Sequence, residues 1–506
     1  MKVDIIITRI NNFEYSFIGS THIGIRHIAH ALTYDNPDEY AYKPKQEMFD
    51  KRKYTFKIGM LYDLLAYIKE HKVSYFLKDD EHTIPGQWKF DERMSGKYSY
   101  QKDSISAFFK RRFGIIKVPT RGGKTFIASE IIRVFLESDT GNFLFVVDTM
   151  DLFNQAVGDI KEFFAPYYNI DIGRIEAGKV DVSKRVTVAM IQTIQSTLSR
   201  RCSDRKKKAG LDKYLKELKF LCVDEIHDNC SDSRLKIYKK SKKLEYQLCL
   251  SATPYRSETW LQNLKLQSWS GDIVYDISEN LLRKKKVLSD YKVFMLLFDH
   301  NEIDFLKLGE QGVDYNEYRK RIIFENKYRN GALIRVLFLL KKLGLKTLVI
   351  FQSVDHGQLI SKRTGYKFIS GVTTTDKRAE IKDEFLSDTG KILLTSNIFK
   401  KGITLPSVEV LINVDGGLED ANTIQKKGRV LGTTDIKNRS LIIDFFDVYD
   451  LYFSDHSETR LNTYINSIGE KNVGILDTSV DDCYETLERW IRKWFLKEET
   501  NSSSSQ

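Results

Sequence analysis

From residue 118 onward the chain alternates short apolar, β-rich runs with segments whose apolar residues recur every three or four positions. That pattern is how parallel strands joined by crossover helices read. In a first region the predicted strands are FLFVVD (143–148), VTVAMI (186–191), FLCVDE (220–225) and YQLCLSAT (246–253), each ending in polar residues. In a second they are TLVIFQS (347–353), KILLTSN (391–397), VEVLINVD (408–415) and RSLIIDFFD (439–447), and the charged segment LLRKKKVLSDY (281–291) reads as the connection, with the linker near 275–290. Upstream, amphipathic patterns at IGIRHIAHAL and MLYDLLAYIKE (60–70), with the basic stretch 43–57 between them, predict a small α/β domain. Open α/β sheets bind ligands beyond the carboxyl ends of their strands, so the polar strand ends are the places to look for chemistry.

A chain of 506 residues exceeds what one hydrophobic core holds, and three folded units are expected. The boundaries read as 1–95 for a small basic N-terminal domain, 96–275 and 285–455 for two sheet lobes, and 456–506 for a helical extension ending in a disordered Ser-rich tail. Lys and Arg number 80 against 69 Asp and Glu, a surplus that favours a polyanionic partner and equally fits an ordinary basic protein. Five scattered cysteines without CxxC pairs argue for a reducing compartment, with neither disulfide nor zinc expected. No apolar run reaches the roughly 18 residues of a membrane span, so an intracellular, soluble protein is expected.

The octapeptide VPTRGGKT, Val118 to Thr125, precedes a segment whose apolar residues at 127, 131, 132, 135 and 136 mark one helix face. Backbone N–H groups of Pro119-Thr120-Arg121-Gly122-Gly123-Lys124-Thr125 at such a helix start can cradle phosphate oxygens. Lys124 would reach the outer phosphates of ATP and the Thr125 hydroxyl would ligate Mg²⁺. Taken alone, the octapeptide also reads, less strongly, as a Gly-Gly helix cap beside an ordinary lysine. A later strand delivers Asp224 and Glu225 in DEIH, placed to hold Mg²⁺ (Asp224) and to orient or deprotonate an attacking water (Glu225).

With these two motifs in this order the chain resembles the superfamily 2 helicases over roughly residues 97–465. The resemblance implies two RecA-like parallel-sheet lobes of the P-loop NTPase type, with ATP and Mg²⁺ as cofactors. It implies that Gln101 reads adenine, that VDTMDLFNQ (147–155) and IQT (191–193) contact the nucleic-acid strand through Gln155 and Thr193, and that SAT (251–253) couples through Ser251 and Thr253, with His227 linking it to the ATP state. In the second lobe IFQS (350–353) and TSNIFKKGITLPSV (395–408) resemble motifs IV and V, giving Gln352 and Thr395 as strand contacts and Gly402 at the nucleotide. QKKGRVLG (425–432) resembles motif VI, with Gln425 and Arg429 catalytic and Arg429 as the arginine finger. Each strand-contact residue reads equally as a loop hydroxyl or amide satisfying local backbone. Departures are Val118 and Arg121 in the loop, Thr404 where motif V commonly carries Asp, and Gly432 where many relatives carry a further Arg.

The basic stretch 40–77 and HSETRLNTY (456–464) resemble phage branch-migration helicases of the UvsW type. That resemblance implies an ATP-dependent DNA helicase acting on branched or forked duplex in recombination, repair and replication. It further implies a monomer in the host-cell cytoplasm, in company with recombination or single-strand-binding proteins. Two alternatives stay open: an RNA helicase of the DEAH kind, and a strand-annealing protein that binds ATP weakly. The basic runs 200–208, 239–243 and 283–286 could track phosphates or be solvated faces, with RRCSDRKKK (200–208) the first choice for DNA.

Overall fold

Strands rich in Val, Ile, Leu and Phe on both faces need a sheet covered on both sides, and the chain builds two of them. The computed structural model describes residues 4–11, 13–19, 22–37, 44–78, 89–138, 141–226, 237–255, 260–298, 315–387, 391–396, 407–417, 431–433, 437–448 and 451–495. The chain divides into the units Met1–Ser278 and Glu279–Gln506.

The large sheet of the first unit has eight strands. In spatial order they are Lys179–Val180, Ile172–Glu176, Val186–Met190, Asn142–Val147, Leu218–Asp224, Tyr246–Ser251, Phe113–Lys117 and Ile273–Asp276. All neighbours are parallel except the outermost pair, Ile172–Glu176 with Lys179–Val180. Leu218–Asp224 and Tyr246–Ser251 are buried along almost their whole length, as central parallel strands must be. Their carboxyl ends, with that of Phe113–Lys117, lie side by side in register.

The small sheet of the same unit runs Phe49–Asp50, Thr55–Lys57, Glu14–Gly19, Ile5–Asn11, Tyr75–Lys78, antiparallel except for the last pair. Ile5, Ile7, Tyr15 and Phe17 form one core with Leu64 and Ile68 of the helix Leu61–Glu70. Phe113, the first residue of the large sheet's strand, belongs to that same core. At the join, the Arg111 guanidinium lies 3.6 Å from the Tyr62 ring and the Lys57 ammonium 4.6 Å from the Trp269 ring. A Cβ on Gly59 would come within 1.9 Å of the Gln267 carbonyl oxygen, so backbone meets backbone there.

The second unit holds a seven-stranded, wholly parallel sheet. Its order is Phe368–Ile369, Ile392–Ser396, Thr347–Phe351, Val410–Asn413, Arg439–Asp447, Asp290–Phe298, Val473–Asp477. Two buried ion pairs pin its carboxyl edge: Arg329 to Asp447 at 2.9 Å and Arg460 to Asp444 at 3.3 Å. Each arginine also donates to a strand-end carbonyl, Arg329 to Val414 and Arg460 to Phe445, which is how buried guanidinium charge is tolerated.

Where a helical extension with a disordered tail is expected over 456–506, the chain also forms a strand, Val473–Asp477, between two helices. The helix Leu451–Ile468 begins before that boundary, and the strand then pairs with Asp290–Phe298 as the sheet edge. It is short, with exposed Ile475, and Gly474 leaves room for Trp490, whose ring would lie 2.8 Å from a Cβ there. Among the described residues no helix is long and apolar enough to cross a membrane.

Candidate nucleotide and nucleic-acid site

The strand Phe113–Lys117 runs out into the loop 118–123, and the helix Lys124–Ser138 begins at its end. Val118, the departure at the head of the loop, is fully buried, and its N–H donates to the Ser251 carbonyl at 2.9 Å, tying the loop's root to the neighbouring strand. A Cβ-bearing apolar residue is tolerated here because the position faces the interior. The Gly122 N–H donates to the Pro119 carbonyl at 2.9 Å, and the Tyr100 hydroxyl donates to the Gly122 carbonyl at 3.0 Å. Gly123 has φ +82°, and a Cβ on it would lie 2.3 Å from the Gln101 amide nitrogen. Glycine is therefore favoured both by backbone conformation and by the buried Gln101, which packs against the loop. Arg121 adopts φ +70°, a left-handed conformation that a glycine would hold without strain.

Lys124, the first residue of the helix, points at the end of the strand Leu218–Asp224. Its ammonium pairs with Glu225 and lies 3.8 Å from Asp224, all three side chains being 10–14% exposed. Glu225 has φ +47°, and its N–H donates to Asp224 Oδ1 at 3.0 Å, so the turn after the strand aims both carboxylates into the loop. The Ser251 hydroxyl reaches Glu225 Oε2 at 3.5 Å and accepts from the Thr253 N–H at 3.1 Å. The Thr253 hydroxyl itself is buried without a hydrogen-bond partner among the described residues. Five predicted residues (Lys124, Asp224, Glu225, Ser251 and Thr253) thus meet at three adjacent strand ends.

Thr125 and Gln155 converge on Asp159, a residue the sequence reading passed over. Burial pushes the Asp159 carboxyl above its ordinary range, against hydrogen bonds from Gln155 and Thr125. Gln155 Nε2 donates to Asp159 at 3.3 Å. The spacing Gln155/Asp159 on one helix, one turn apart, is the signal that could have found it. Tyr100 was likewise missed, although it adjoins Gln101.

Thr193 is buried in the helix Ile191–Leu198, and its neighbour Gln192 is exposed, donating to the Asp148 carbonyl at 2.9 Å. Thr395 is fully buried in the strand Ile392–Ser396. Gln352 is exposed at the end of the strand Thr347–Phe351; its amide oxygen accepts from Arg319 at 2.5 Å and its N–H donates to Asp415 at 2.6 Å. Beside it lies a cavity of about 480 Å³ whose described lining includes Arg319, Phe324, Ser353 and His356. Burial, with the Arg329 charge, pushes the His356 imidazole down to about 3, so it is neutral, and its Nε2–H donates to Asn330 Oδ1 at 2.7 Å. His227, Gly402, Gln425 and Arg429 lie outside the described residues. Gly432 pairs through its backbone with Leu288.

A glycine-bearing loop between strand and helix, a lysine facing paired acids, and two parallel sheets define a P-loop nucleotide hydrolase with two RecA-like lobes. Residues 95–256 match the family described as type III restriction enzyme, res subunit, and residues 328–431 match the helicase conserved C-terminal domain. The DNA 3'-5' translocase XPB2 of Sulfurisphaera tokodaii is 23% identical over 367 residues, covering 66% of this chain and 78% of the relative. The ATP-dependent DNA helicase uvsW of Enterobacteria phage T4 is 22% identical over 358 residues, covering 69% and 68%. Among solved structures, S. cerevisiae Dbp5 bound to RNA and ADP BeF3 shares the fold, with a TM-score of 0.53 at 15% identity over 78% of this chain and 92% of that one. The chain belongs to the superfamily 2 helicases, resembles the phage UvsW helicase, and is accordingly an ATP-dependent enzyme.

Proposed function

We propose that the protein is a DNA helicase or translocase that spends ATP to remodel branched DNA by branch migration, fork regression and removal of displacement loops or R-loops. The observation that carries the reading is the Lys124–Glu225–Asp224 cluster at the loop, joined to Ser251. The names of the relatives, a DNA translocase and a phage DNA helicase, supply the DNA.

In this reading Lys124 leaves the acids for the outer phosphates when ATP enters, and Gln101 holds the adenine. The Thr125 hydroxyl and Asp224 carboxylate are hard oxygen donors suited to Mg²⁺, which when bound neutralises phosphate charge. Glu225, released from Lys124, orients the attacking water, and Ser251 and Thr253 sense its movement, with His227 assisting. Gln425, Arg429 and Gly402 complete the nucleotide site on the resemblance alone. Gln155 and Gln352 meet the strand; Gln192 takes the exposed role foreseen for Thr193, while the buried Thr193 and Thr395 position their neighbours. The segments 1–95, 96–275 and 285–455 act as a DNA-gripping domain and two motor lobes, in a monomer working with recombination or single-strand-binding proteins in a host cytoplasm.

The test is ATP hydrolysis without nucleic acid and with linear duplex, single-stranded DNA, a four-way junction and single-stranded RNA, with Lys124→Ala as control. Greatest stimulation by the junction, abolished in the variant, supports the proposal. Stimulation by RNA alone would move the protein to RNA remodelling, and strand remodelling undiminished in Lys124→Ala would sink the motor reading.

A further inference from the structure

The basic run at 200–208 continues into the helix Arg205–Lys216, and the helix sorts its charges into two groups. Leu211, Tyr214 and Leu215 are buried against the first unit's core, and the Tyr214 hydroxyl donates to the Phe143 and Arg185 carbonyls at 2.9 and 3.0 Å. Those carbonyls mark the amino ends of the strands Asn142–Val147 and Val186–Met190, the sheet edge opposite the phosphate loop. At 100° per residue, Arg205, Lys206, Lys213 and Lys216 fall on the face directly opposite the buried one, with small Ala209 among them. All four are exposed.

The remaining lysines of the helix are already used. Lys207 caps onto the Gly178 carbonyl at 3.1 Å and pairs with Asp204, and Lys208 donates to the Ser199 carbonyl at 3.0 Å. The acids around the helix are neutralised by cations outside the outer face: Asp204 by Lys207, Asp212 by Lys240 at 2.7 Å and Glu217 by Lys243 at 2.6 Å. Among the described residues, none of the four outer cations is in an ion pair. An ordinary solvated helix face mixes signs or pairs its lysines at one-turn spacing. This one presents four uncompensated positive charges along a rise of about 17 Å, a length over which duplex DNA carries about ten phosphates, given one charge per roughly 1.7 Å of axis.

We propose that the outer face of the helix Arg205–Lys216 is a second DNA-backbone contact, remote from the nucleotide site, that grips a duplex arm while the motor edge works on another strand. The inference rests on the DNA reading of the preceding section. Contacts of this kind position without reading sequence.

The test compares the full-length protein with a variant in which Arg205, Lys206, Lys213 and Lys216 are each replaced by Gln, and with a variant in which the three lysines become Arg. Unstimulated ATP hydrolysis and far-ultraviolet circular dichroism should be unchanged in both, because the face touches neither core nor phosphate loop. Binding of a fluorescent duplex is measured by anisotropy between 50 and 200 mM KCl. The glutamine variant should lose at least tenfold in affinity at 100 mM, and its plot of log affinity against log salt should be shallower by about 3 to 4, four contacts at ~0.9 each. The arginine variant should keep the parent's slope. Parent-like slope and affinity in the glutamine variant would overturn the second contact while leaving the helicase reading intact. If the parent itself binds no duplex, both fall, and capture of an acidic peptide by the parent alone would reassign the face to protein binding.

Discussion

At the scale of single residues, the Lys124 ammonium is paired with the carboxylates it faces. Lys124 is clamped by Glu225 with Asp224 beside it, so phosphate must displace a largely buried, charge-assisted pair before it can bind. Glu225→Gln removes the competitor for Lys124 and a negative charge facing the phosphates, two effects of the same sign. Nucleotide affinity should therefore rise about tenfold, a charged hydrogen bond contributing roughly 1.5–3 kcal/mol, while hydrolysis falls because the water loses its carboxylate. Isothermal titration with a non-hydrolysable ATP analogue, set against turnover, separates the two; unchanged affinity would mean that the ion pair does not gate the site. Lys124→Ala should do the opposite to binding. Its turnover should drop on the order of 10²–10³-fold, the loss expected for one electrostatic donor to a transferring phosphoryl group, and its nucleotide affinity should fall with it. A variant that turns over within tenfold of the parent would exclude Lys124 from the phosphates.

At the scale of elements, the join between the two sheets of the first unit carries a pair of carboxyls. Gln267 Nε2 donates to Asp63 at 3.2 Å and to Asp272 at 2.7 Å, and the Tyr34 hydroxyl donates to Asp63 at 2.5 Å. Burial first, then the Asp63 charge, push Asp272 up to about 6 against the pull of Gln267 and Arg111. The folded value lies above that of an unfolded aspartate, so the native state binds the extra proton between roughly pH 4 and 6, and stability is lost as pH rises through that window. Asp272→Asn should melt close to the parent near pH 4 and above it at pH 7.5, by on the order of 1–3 kcal/mol; a difference independent of pH would show that Asp272 stays ionised. None of this was legible beforehand, because Asp63 and Asp272 lie far apart in sequence and only the docking of two sheets brings them together. The central strands were legible, since continuous Val, Ile, Leu and Phe runs flanked by polar ends have few other homes. The edge strands Ile273–Asp276 and Val473–Asp477 were not: they are half exposed, short and without a clean period. The site divides the same way. The strand-end motifs announced Lys124, Asp224, Glu225 and Ser251, whereas which way the hydroxyls of Thr193 and Thr395 turn depends on packing that no spacing encodes.

At the scale of the whole molecule, the small sheet and its helix Leu61–Glu70 behave as a welded part of the first unit rather than as a detachable grip. Phe113 of the large sheet completes the small sheet's core, Gly59 lies against the Gln267–Ser268 backbone, and Lys57 and Phe13 cover Trp269. Contact this close makes the small sheet part of the folding unit that presents the phosphate loop, because the strand leading into that loop begins at Phe113. Deleting residues 1–88 would uncover Phe113, Tyr62's partner Arg111 and Trp269 together. At roughly 1.5–3 kcal/mol for each large apolar side chain returned to water, several kcal/mol of stability should go. For a unit of this size that is a fall in Tm of about 10–20 °C, accompanied by aggregation. Gly59→Ala tests the same weld without deletion: the added methyl meets a carbonyl rather than a yielding side chain, and a loss of about 1–3 kcal/mol is expected with the nucleotide residues untouched. Differential scanning calorimetry of both proteins, with unstimulated ATP hydrolysis measured alongside, decides between weld and tether. A truncated chain that melts with the parent and hydrolyses ATP at the parent's rate would mean that the small sheet is a passenger on the motor, and that its contacts with Trp269 and Phe113 contribute nothing to holding the phosphate loop.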